Sequence, residues 1–597
     1  MTKLATVQRW AIAGAIPLTA LVFLRGAANP FQTVKSVIVQ LVALLLIAGA
    51  IGSFRPGRAA ALARVPFVQV WPALILVAAA ATVASSTPAI AFFGDHPHAA
   101  GLLLYAGAAV IAVTVFDRST EVFLRELGWV LTGTVVVVAI YALVQGAGLD
   151  PFQWAFEFSG APSTLGQPNF ASGYLGAGVP IALAFAIDPS HRAAHRAAGG
   201  VAYVCGVAAT LMTRSAQGPA SLLVGSALVL AAAAYARRET SRGDGTGRLP
   251  VAATVAAGLG CVGLVVAALV VSPLAAGVAA GFTGRVDIWR SAISVIRENP
   301  VIGTGLDTFG IHFFAHRPAA HGALLGSTNA EAAHSVPLAM FAAGGIPLGV
   351  AYLALVAIVA VGLVRGLVRV RGPRRRLLAA WGAVWLGYQV QSLVSIDVAA
   401  LVVLHAVAAG AVMSLAREPR PESKKRPRKQ RVYRPPGWQV AAAAALLVVG
   451  TWGVTRPLRA DLAATEGVLA GQAGDVATAT AALERAVELA PYRSFYYYLQ
   501  ASFLTAAGQH EPALRVARAS AERDPGNSQP ALLAGQLAFA LGDTDEAERW
   551  YDEAVRRDPH NIDIVASAAQ FAEEHRAPPV AAALRGRYED LLALRGP

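Results

Sequence analysis

The sequence predicts an all-α protein, a polytopic helical membrane part of about 13 spans followed by an α-solenoid. Three observations carry that expectation. Of the 597 residues, 55% are hydrophobic and only 14% are charged, whereas soluble domains average about 25% charged. Apolar runs of about 20 residues, enough to cross a hydrocarbon core of about 30 Å, follow one another through the first three quarters of the chain. The last stretch alone has ordinary polarity, and there a fixed period appears.

In chain order, the expected spans lie near 9–25, 35–53, 67–85, 101–116, 128–146, 170–187, 198–213, 216–235, 251–273, 345–364, 377–394, 398–415 and 438–455. The first apolar run, Trp10 to Phe23, has no convincing small-residue cleavage site and reads as a signal anchor. The loops alternate in charge. One set holds Arg55, Arg58 and Arg64; Arg118 and Arg125; Arg192 and Arg196; Arg237, Arg238, Arg242 and Arg248; the run Arg365 to Arg376; and "KKRPRKQR" at 424–431. The other set includes 86–100 and 147–169, which contain no Lys or Arg. Positive loops stay in the cytoplasm, so the N-terminus is expected there and the chain after the last span outside. The net charge of +13 is then a topology signal and not a nucleic-acid footprint, because acidic residues outnumber basic ones after Arg456. Cys205 and Cys261 both lie in apolar runs, so structural roles are expected, with no disulfide or zinc site.

After the last span, "AGDVATATAALERAVELAP", "AGQHEPALRVARASAERDP" and "LGDTDEAERWYDEAVRRDP" end at Pro491, Pro525 and Pro559, and Gly474, Gly508 and Gly542 recur 34 residues apart. That is the tetratricopeptide (TPR) period of helix, Gly turn, helix and Pro, with a degenerate unit from Ile562 to Leu594 as a cap. Such arrays stack into a right-handed solenoid whose concave face takes a partner protein. The expected divisions are a membrane domain at 1–416, a basic cytoplasmic linker at 417–437, a last transmembrane helix at 438–455, and an extracytoplasmic TPR domain at 456–597. Its expected role is to recruit a partner or bring an acceptor close, separably from the chemistry.

The loop at 274–344 falls on the outer side yet holds Arg285, Arg290, Arg297 and Arg317. It breaks the charge rule, so these arginines are expected to have a task. Guanidinium forks bind phosphate oxygens bidentately, which points to an anion. "GTGLDTFG" lacks the Gly-Lys-Ser/Thr of a phosphate loop. His312 and His316 have i, i+4 spacing and could form half a metal site, but no carboxylate motif completes it, and neither metal nor cofactor is expected. In "STLGQPN", Gln167 and Asn169 precede a span; Asn169 is either an N-cap or part of a polar turn lining a cavity. Arg214 in "TRSAQG" is either a snorkelling boundary arginine or a functional charge. His334 in "NAEAAHSVPLAMFAAGGIPLG" is either a hydrogen-bonded structural residue or a neutral imidazole able to take a proton from a hydroxyl.

Taken in order, "STLGQPNFASGYL", "TRSAQG", "GRVDIWRSAISVIRENPVIGTGLDTFG" and "AAHSVPLAMFAAGGIPLG" resemble the successive motifs of the O-antigen ligase and O-antigen polymerase superfamily, over about 90–415. Arg285, Trp289, Asn299, Pro300, Gly303, Gly305 and Phe309 match the third motif. Members with a C-terminal TPR array form a subtype of that superfamily. Two departures stand out. His98, in "FFGDHPHAAGLL", occupies the place where the superfamily usually has Arg, and Ser335 follows His334 where Asn is frequent. The resemblance implies a GT-C-like, metal-independent membrane glycosyltransferase. It would move a glycan from a polyprenyl-diphosphate lipid to an acceptor hydroxyl, of a glycan or a lipid, on the outer face of the plasma membrane. It also implies His334 as the catalytic base, with Arg214, Arg285, Arg290, Arg317, Asn169, Gln167 and His98 binding substrate. Ligase and polymerase share this donor chemistry and differ in the acceptor.

Two other classes compete. A lipid-linked glycan transporter or flippase would place charges along a path through the spans; here they gather at one face. A non-catalytic scaffold would need far fewer than 13 spans as an anchor. With a cytoplasmic N-terminus, alkaline phosphatase fused after Pro597 is expected to be active and a green fluorescent fusion dark. The opposite pattern would place the repeats in the cytoplasm and reduce the number of spans.

Overall fold

The computed structural model describes residues 3–154, 158–241, 275–326, 328, 330–417 and 435–595. Among these residues every regular element is a helix. Eight described helices are long and apolar enough to cross a membrane: Gln32–Gly52, Pro66–Ala84, Glu121–Gly146, Pro168–Ile187, Gln217–Ala236, Val336–Arg369, Ala399–Ala416 and Gly437–Gln472. Four more expected spans are helices as well, at Lys3–Leu21, Leu102–Arg118, Ala193–Met212 and Gly372–Ser392. The expected span at 251–273 and the basic run at 424–431 lie outside the described residues.

Between apolar helices in lipid there is little hydrophobic drive, so association depends on close backbone approach through small residues. The bundle does this repeatedly. A Cβ on Gly176 would stand 2.4 Å from the Gly218 carbonyl oxygen, and one on Gly410 would stand 2.5 Å from that of Ala112. Only glycine lets Pro168–Gly178 meet Gln217–Ser241, and Leu102–Arg118 meet Ala399–Ala416, at those distances.

The long loop is folded. Ala275–Glu298 is a 24-residue helix, and two short helices follow at Phe309–His316 and Ala319–Leu325. Ala292, Val295, Phe309, Phe313, Phe314, Ala330, Ala333 and Ala342 form its own apolar core. This core sits on a kink in Val336–Arg369, where Gly344 and Gly345 leave helical geometry (φ −135° and 64°). The kink frees backbone groups that the loop satisfies. The Thr304 and Gly305 amides donate to Ala342 and Ala343 at 3.0 and 2.8 Å, and the Ile346 amide donates to Pro300 at 2.8 Å. Thus "NPVIGTG" and "AAGGIPLG" are two halves of one backbone-to-backbone joint. Gly303 has φ 71°, and a Cβ there would be 2.4 Å from the Ala343 carbonyl carbon.

The last span does not stop where the repeats begin. Gly437–Gln472 is one helix of 36 residues, roughly 54 Å long, so the expected boundary at 455 falls inside it. Its C-terminal turns pack on Val476–Leu489, and three helix pairs follow: Ser494–Ala506 with His510–Arg523, Ser528–Ala540 with Thr544–Arg557, and Ile562–His575 with Pro578–Ala593. The period reflects turn chemistry. Gly474, Gly508 and Gly542 all have positive φ (81°, 72° and 83°), which glycine adopts without strain. Asp475 and Asp543 then cap the following helices by accepting from the Thr478 and Glu546 amides.

The joint gives a direct test. Gly303→Ala is expected to destabilise the protein by about 1–3 kcal/mol, through a strained φ and a backbone clash. Purified protein should melt at a lower temperature. Gly284→Ala, where an added Cβ meets open space in a helix, should leave the melting temperature unchanged or raised.

Candidate functional site

The helix Ala275–Glu298 presents Arg285 and Trp289 one turn apart, and therefore on one face. The Trp289 indole N–H reaches the His334 carbonyl at 3.4 Å. Arg285 lies near enough that its charge acts on the His334 ring. The spacing of the third motif thus sets the indole on the His334 backbone and brings the Arg285 charge into the same neighbourhood.

Beside them the joint presents Asp307, in a left-handed conformation (φ 58°). One oxygen of Asp307 accepts from the Asp95 and Ala100 amides, both at 2.8 Å. Its other oxygen is 3.8 Å from His98 Nδ1, and His98 Nε2 is 3.6 Å from a Glu331 oxygen. These side chains line a cavity of about 50 Å³ with Tyr105 and Asp397 deeper in. Asp397 accepts from the Tyr388 and Tyr105 hydroxyls at 2.6 and 3.2 Å. A water needs about 10–15 Å³ of such space, so the cavity suits small groups and not a sugar ring.

Burial dominates the electrostatics here. It pushes Asp307 up to about 8, helped by the nearby Asp95 charge, and Glu331 up to about 7. It pulls His98 down to about 4, with His334 adding repulsion. It pulls His334 down to about 4, with Arg285 adding repulsion. At neutral pH the imidazoles are therefore unprotonated, Asp307 carries a proton and Glu331 is poised to exchange one. Perturbations of this size gather at functional sites.

A second group forms at the "STLGQPN" and "TRSAQG" turns. The Ser215 hydroxyl donates to the Asn169 side-chain oxygen at 2.8 Å, and the Gln217 amide group donates to the Asn169 carbonyl at 2.5 Å. The helix Pro168–Gly178 is capped at Gln167, and Asn169 lies inside it. Asn169 is thus not the N-cap; its side chain ties the two turns together. Arg214 is exposed, with φ 54°.

Other expected residues lie elsewhere. Arg290 is exposed and pairs with Asp287 at 3.0 Å, one turn away. Arg317, expected to bind substrate, is fully buried. Its Nε and one terminal nitrogen donate to the Asp558 carboxylate, and its other terminal nitrogen donates to the Gly326 carbonyl at 2.7 Å. That geometry leaves no nitrogen for a ligand. His316 bonds both the His312 carbonyl and Glu298, so the pair is not arranged as metal ligands, and no group of three or more His, Cys, Asp or Glu among the described residues could hold a metal ion.

Asp558 belongs to the repeats, and this pair is one of two docking points. At the same end Ala323 packs with Ile562, Val565 and Leu591. At the other, His96 Nε2 is 3.0 Å from Asp461, which also accepts from the Tyr496 hydroxyl. The His96 ring stacks on Phe495, and Phe93 stacks on Tyr492. The array therefore touches both the 93–96 segment, next to His98, and the 311–326 segment of the loop. It is not a module hung apart from the site.

With this geometry in view, the comparisons are specific about the membrane part. Residues 201–353 match the O-antigen ligase family. The O-antigen ligase segment contains Arg214, Arg285 and His334, while Gln167, Asn169 and His98 precede it. Residues 504–571 match the tetratricopeptide repeat. A solved structure, MamA AMB-1 C2221, is similar over 25% of this chain and 90% of its own, at 20% identity and a TM-score of 0.20. No curated protein matches the chain.

Reasoning from sequence passed over Asp307, Glu331 and Asp95 as site groups. Asp307 lies within the "GTGLDTFG" motif, Asp95 stands three residues before His98, and Glu331 stands three residues before His334. The backbone marks the site more sharply. Among the described residues, the non-glycine positions with positive φ are Ala99, Ser163, Arg214, Asp307 and His334. Every one lies in a stretch carrying expected site residues, as strain at functional positions would produce.

Removing one partner from a buried ion pair costs about 3–5 kcal/mol. Asp558→Ala is therefore expected to loosen the repeats from the loop. Hydrogen exchange should rise together in 311–326 and in the last repeat, while the first repeat, near Asp461, should keep its protection.

Proposed function

We propose that the chain is a membrane glycosyltransferase that moves a glycan from a polyprenyl-diphosphate lipid to an acceptor hydroxyl at the loop-bearing face. The O-antigen ligase match supports a glycan-ligase-like function in a membrane. The observation that supports the finer reading is a half-buried His334 whose pKa is lowered by desolvation and by the nearby Arg285 charge.

The chemistry follows from those two groups. His334 takes the proton as the acceptor oxygen attacks the anomeric carbon. The bond from that carbon to the diphosphate oxygen breaks, and its electron pair leaves on the diphosphate. Arg285, a fixed cation in a part-buried place, stabilises the charge that develops there. Attack in line with the leaving group inverts the anomeric centre. The donor also tunes the base. A diphosphate seated on Arg285 offsets the charge that depresses His334, so the imidazole becomes more basic when the donor is bound. The protonated Asp307, with His98 and Glu331, would supply hydrogen bonds beside the reacting groups. The expected outer orientation would set this site where lipid-linked glycans are presented, in the assembly of a cell-envelope polysaccharide. The TPR array would receive a protein partner on its free face.

His334→Ala is expected to lower transfer by about 10²- to 10⁴-fold with the fold intact. Wild-type turnover in that variant would make His334 structural. The pH profile separates roles further. His334 acts when unprotonated, so kcat/KM should hold on the acid side until the pH falls toward about 4. Arg285→Gln removes one of the causes that lower this pKa. Its residual activity should therefore fall off at a higher pH than wild type. An unmoved acid limb would show that Arg285 does not act on His334.

A further inference from the structure

At the end of the bundle opposite the candidate site lies a second cavity, of about 230 Å³. Its walls are apolar, with Ile187, Val229, Ala233 and Ala379 among them, from three neighbouring membrane helices. Two guanidiniums, those of Arg196 and Arg376, also line it. The Arg196 Nε donates to the Ala186 carbonyl at 3.1 Å, and the Arg376 Nε forms an ion pair with Asp188 at 2.9 Å without a hydrogen bond. The terminal nitrogens of both have no hydrogen-bond partner among the described residues. Arg125 approaches the same Asp188 at 3.6 Å. Arg125 and Arg376 thus share one carboxylate, while Arg196 contacts only a backbone carbonyl, so the cavity mouth carries an excess of positive charge.

We propose that this cavity binds an anionic phospholipid. The terminal nitrogens of Arg196 and Arg376 would hold the phosphate, and the first acyl carbons would lie between Gln217–Ser241, Pro180–Ile187 and Gly372–Ser392. The arrangement has the two parts such a ligand needs. The carbonyl contact of Arg196 and the ion pair of Arg376 already restrict the two forks, so less freedom is lost when they grip a phosphate. The apolar walls continue from the arginines into the membrane-spanning part, which a free anion would not require. The occupant is not the glycan donor of the proposed reaction. Gly372–Ser392 runs from Arg376 at this cavity toward Asp397 at the candidate site, and its 21 residues span roughly 30 Å. On the expected topology this end is cytoplasmic, the side where anionic headgroups attract juxtamembrane arginines.

Native mass spectrometry of the full chain in neutral detergent tests this, with phosphatidylglycerol and phosphatidylcholine of identical acyl chains as probes. Phosphatidylglycerol should be retained about tenfold more tightly, the difference that charge-assisted hydrogen bonds to two forks can supply. Arg196→Gln and Arg376→Gln should each bring it down toward phosphatidylcholine. Ala233→Trp, which fills the cavity, should weaken phosphatidylglycerol as well. Arg376→Gln disturbs the Asp188 pair and could misfold. Arg196→Gln removes only a contact to a carbonyl, so it carries the test in that case. Equal retention of the two lipids, undiminished phosphatidylglycerol in Ala233→Trp, or its release by millimolar inorganic phosphate would each overturn the proposal. The readout is lipid retention and not glycan transfer, so it stands or falls apart from the reaction proposed above.

Discussion

A guanidinium cut off from water must be neutralised where it lies, and Arg317 is the side chain on which this architecture turns. The charge has 0% side-chain exposure, as has its partner Asp558. Desolvating both ions costs several kcal/mol each, and only good geometry repays that. The geometry here is bidentate, and a backbone carbonyl satisfies the remaining nitrogen. Such a pair exists only with the repeats seated on the loop. It adds little to stability over an apolar contact, but it is specific, because any other seating leaves two buried charges alone. The His96–Asp461 contact fixes the second point. Since the last span runs unbroken into the array, there is no free linker between them. The loop is therefore held from three directions: by the kinked helix below, by the repeats above, and by the 93–100 segment beside it.

That confinement accounts for the unusual protonation states. A loop free in water would leave Asp307 and Glu331 ionised and His98 and His334 near their ordinary range. Packed at the joint, Asp307, His98 and His334 lose solvent, and the neutral forms win. Glu331 and His334 flank the small core of Ala330 and Ala333, and Asp307 and His98 meet across two segments some 200 residues apart in sequence. The strained φ values at Asp307 and His334 belong to the same cause. Each is tolerated because backbone hydrogen bonds on both sides over-determine the turn, as at the joint between Thr304–Gly305 and Ala342–Ala343.

The membrane bundle has two chemically distinct ends. The loop end gathers Asp307, Glu331, Asp397 and the His98 ring around one small, largely apolar cavity. The other end gathers part-buried and exposed arginines around Asp188 and around Asp117. The second pattern is what topology alone requires, whereas the first is expensive to build and follows from no topology rule.

The sequence by itself determined the class, the positions of most spans, the repeat period and the order of motifs. These are properties of local composition: a bilayer imposes a length on apolar runs, and a left-handed turn imposes Gly474, Gly508 and Gly542. It also set apart the arginines of the 274–344 loop as candidates, since charge in an unexpected loop is visible in one dimension. Tertiary structure alone decided what each arginine does. Arg285, Arg290 and Arg317 are equivalent letters in one loop, yet one lends its charge to the surroundings of His334, one pairs with Asp287 at the surface, and one is buried on Asp558. The partner of Arg317 lies 241 residues away, and no spacing rule announces it. Asp307 was illegible for the same reason. An aspartate is polar by composition, and only the Asp95 and Ala100 amides, the His98 ring and the loss of water around them make it an acid that keeps its proton.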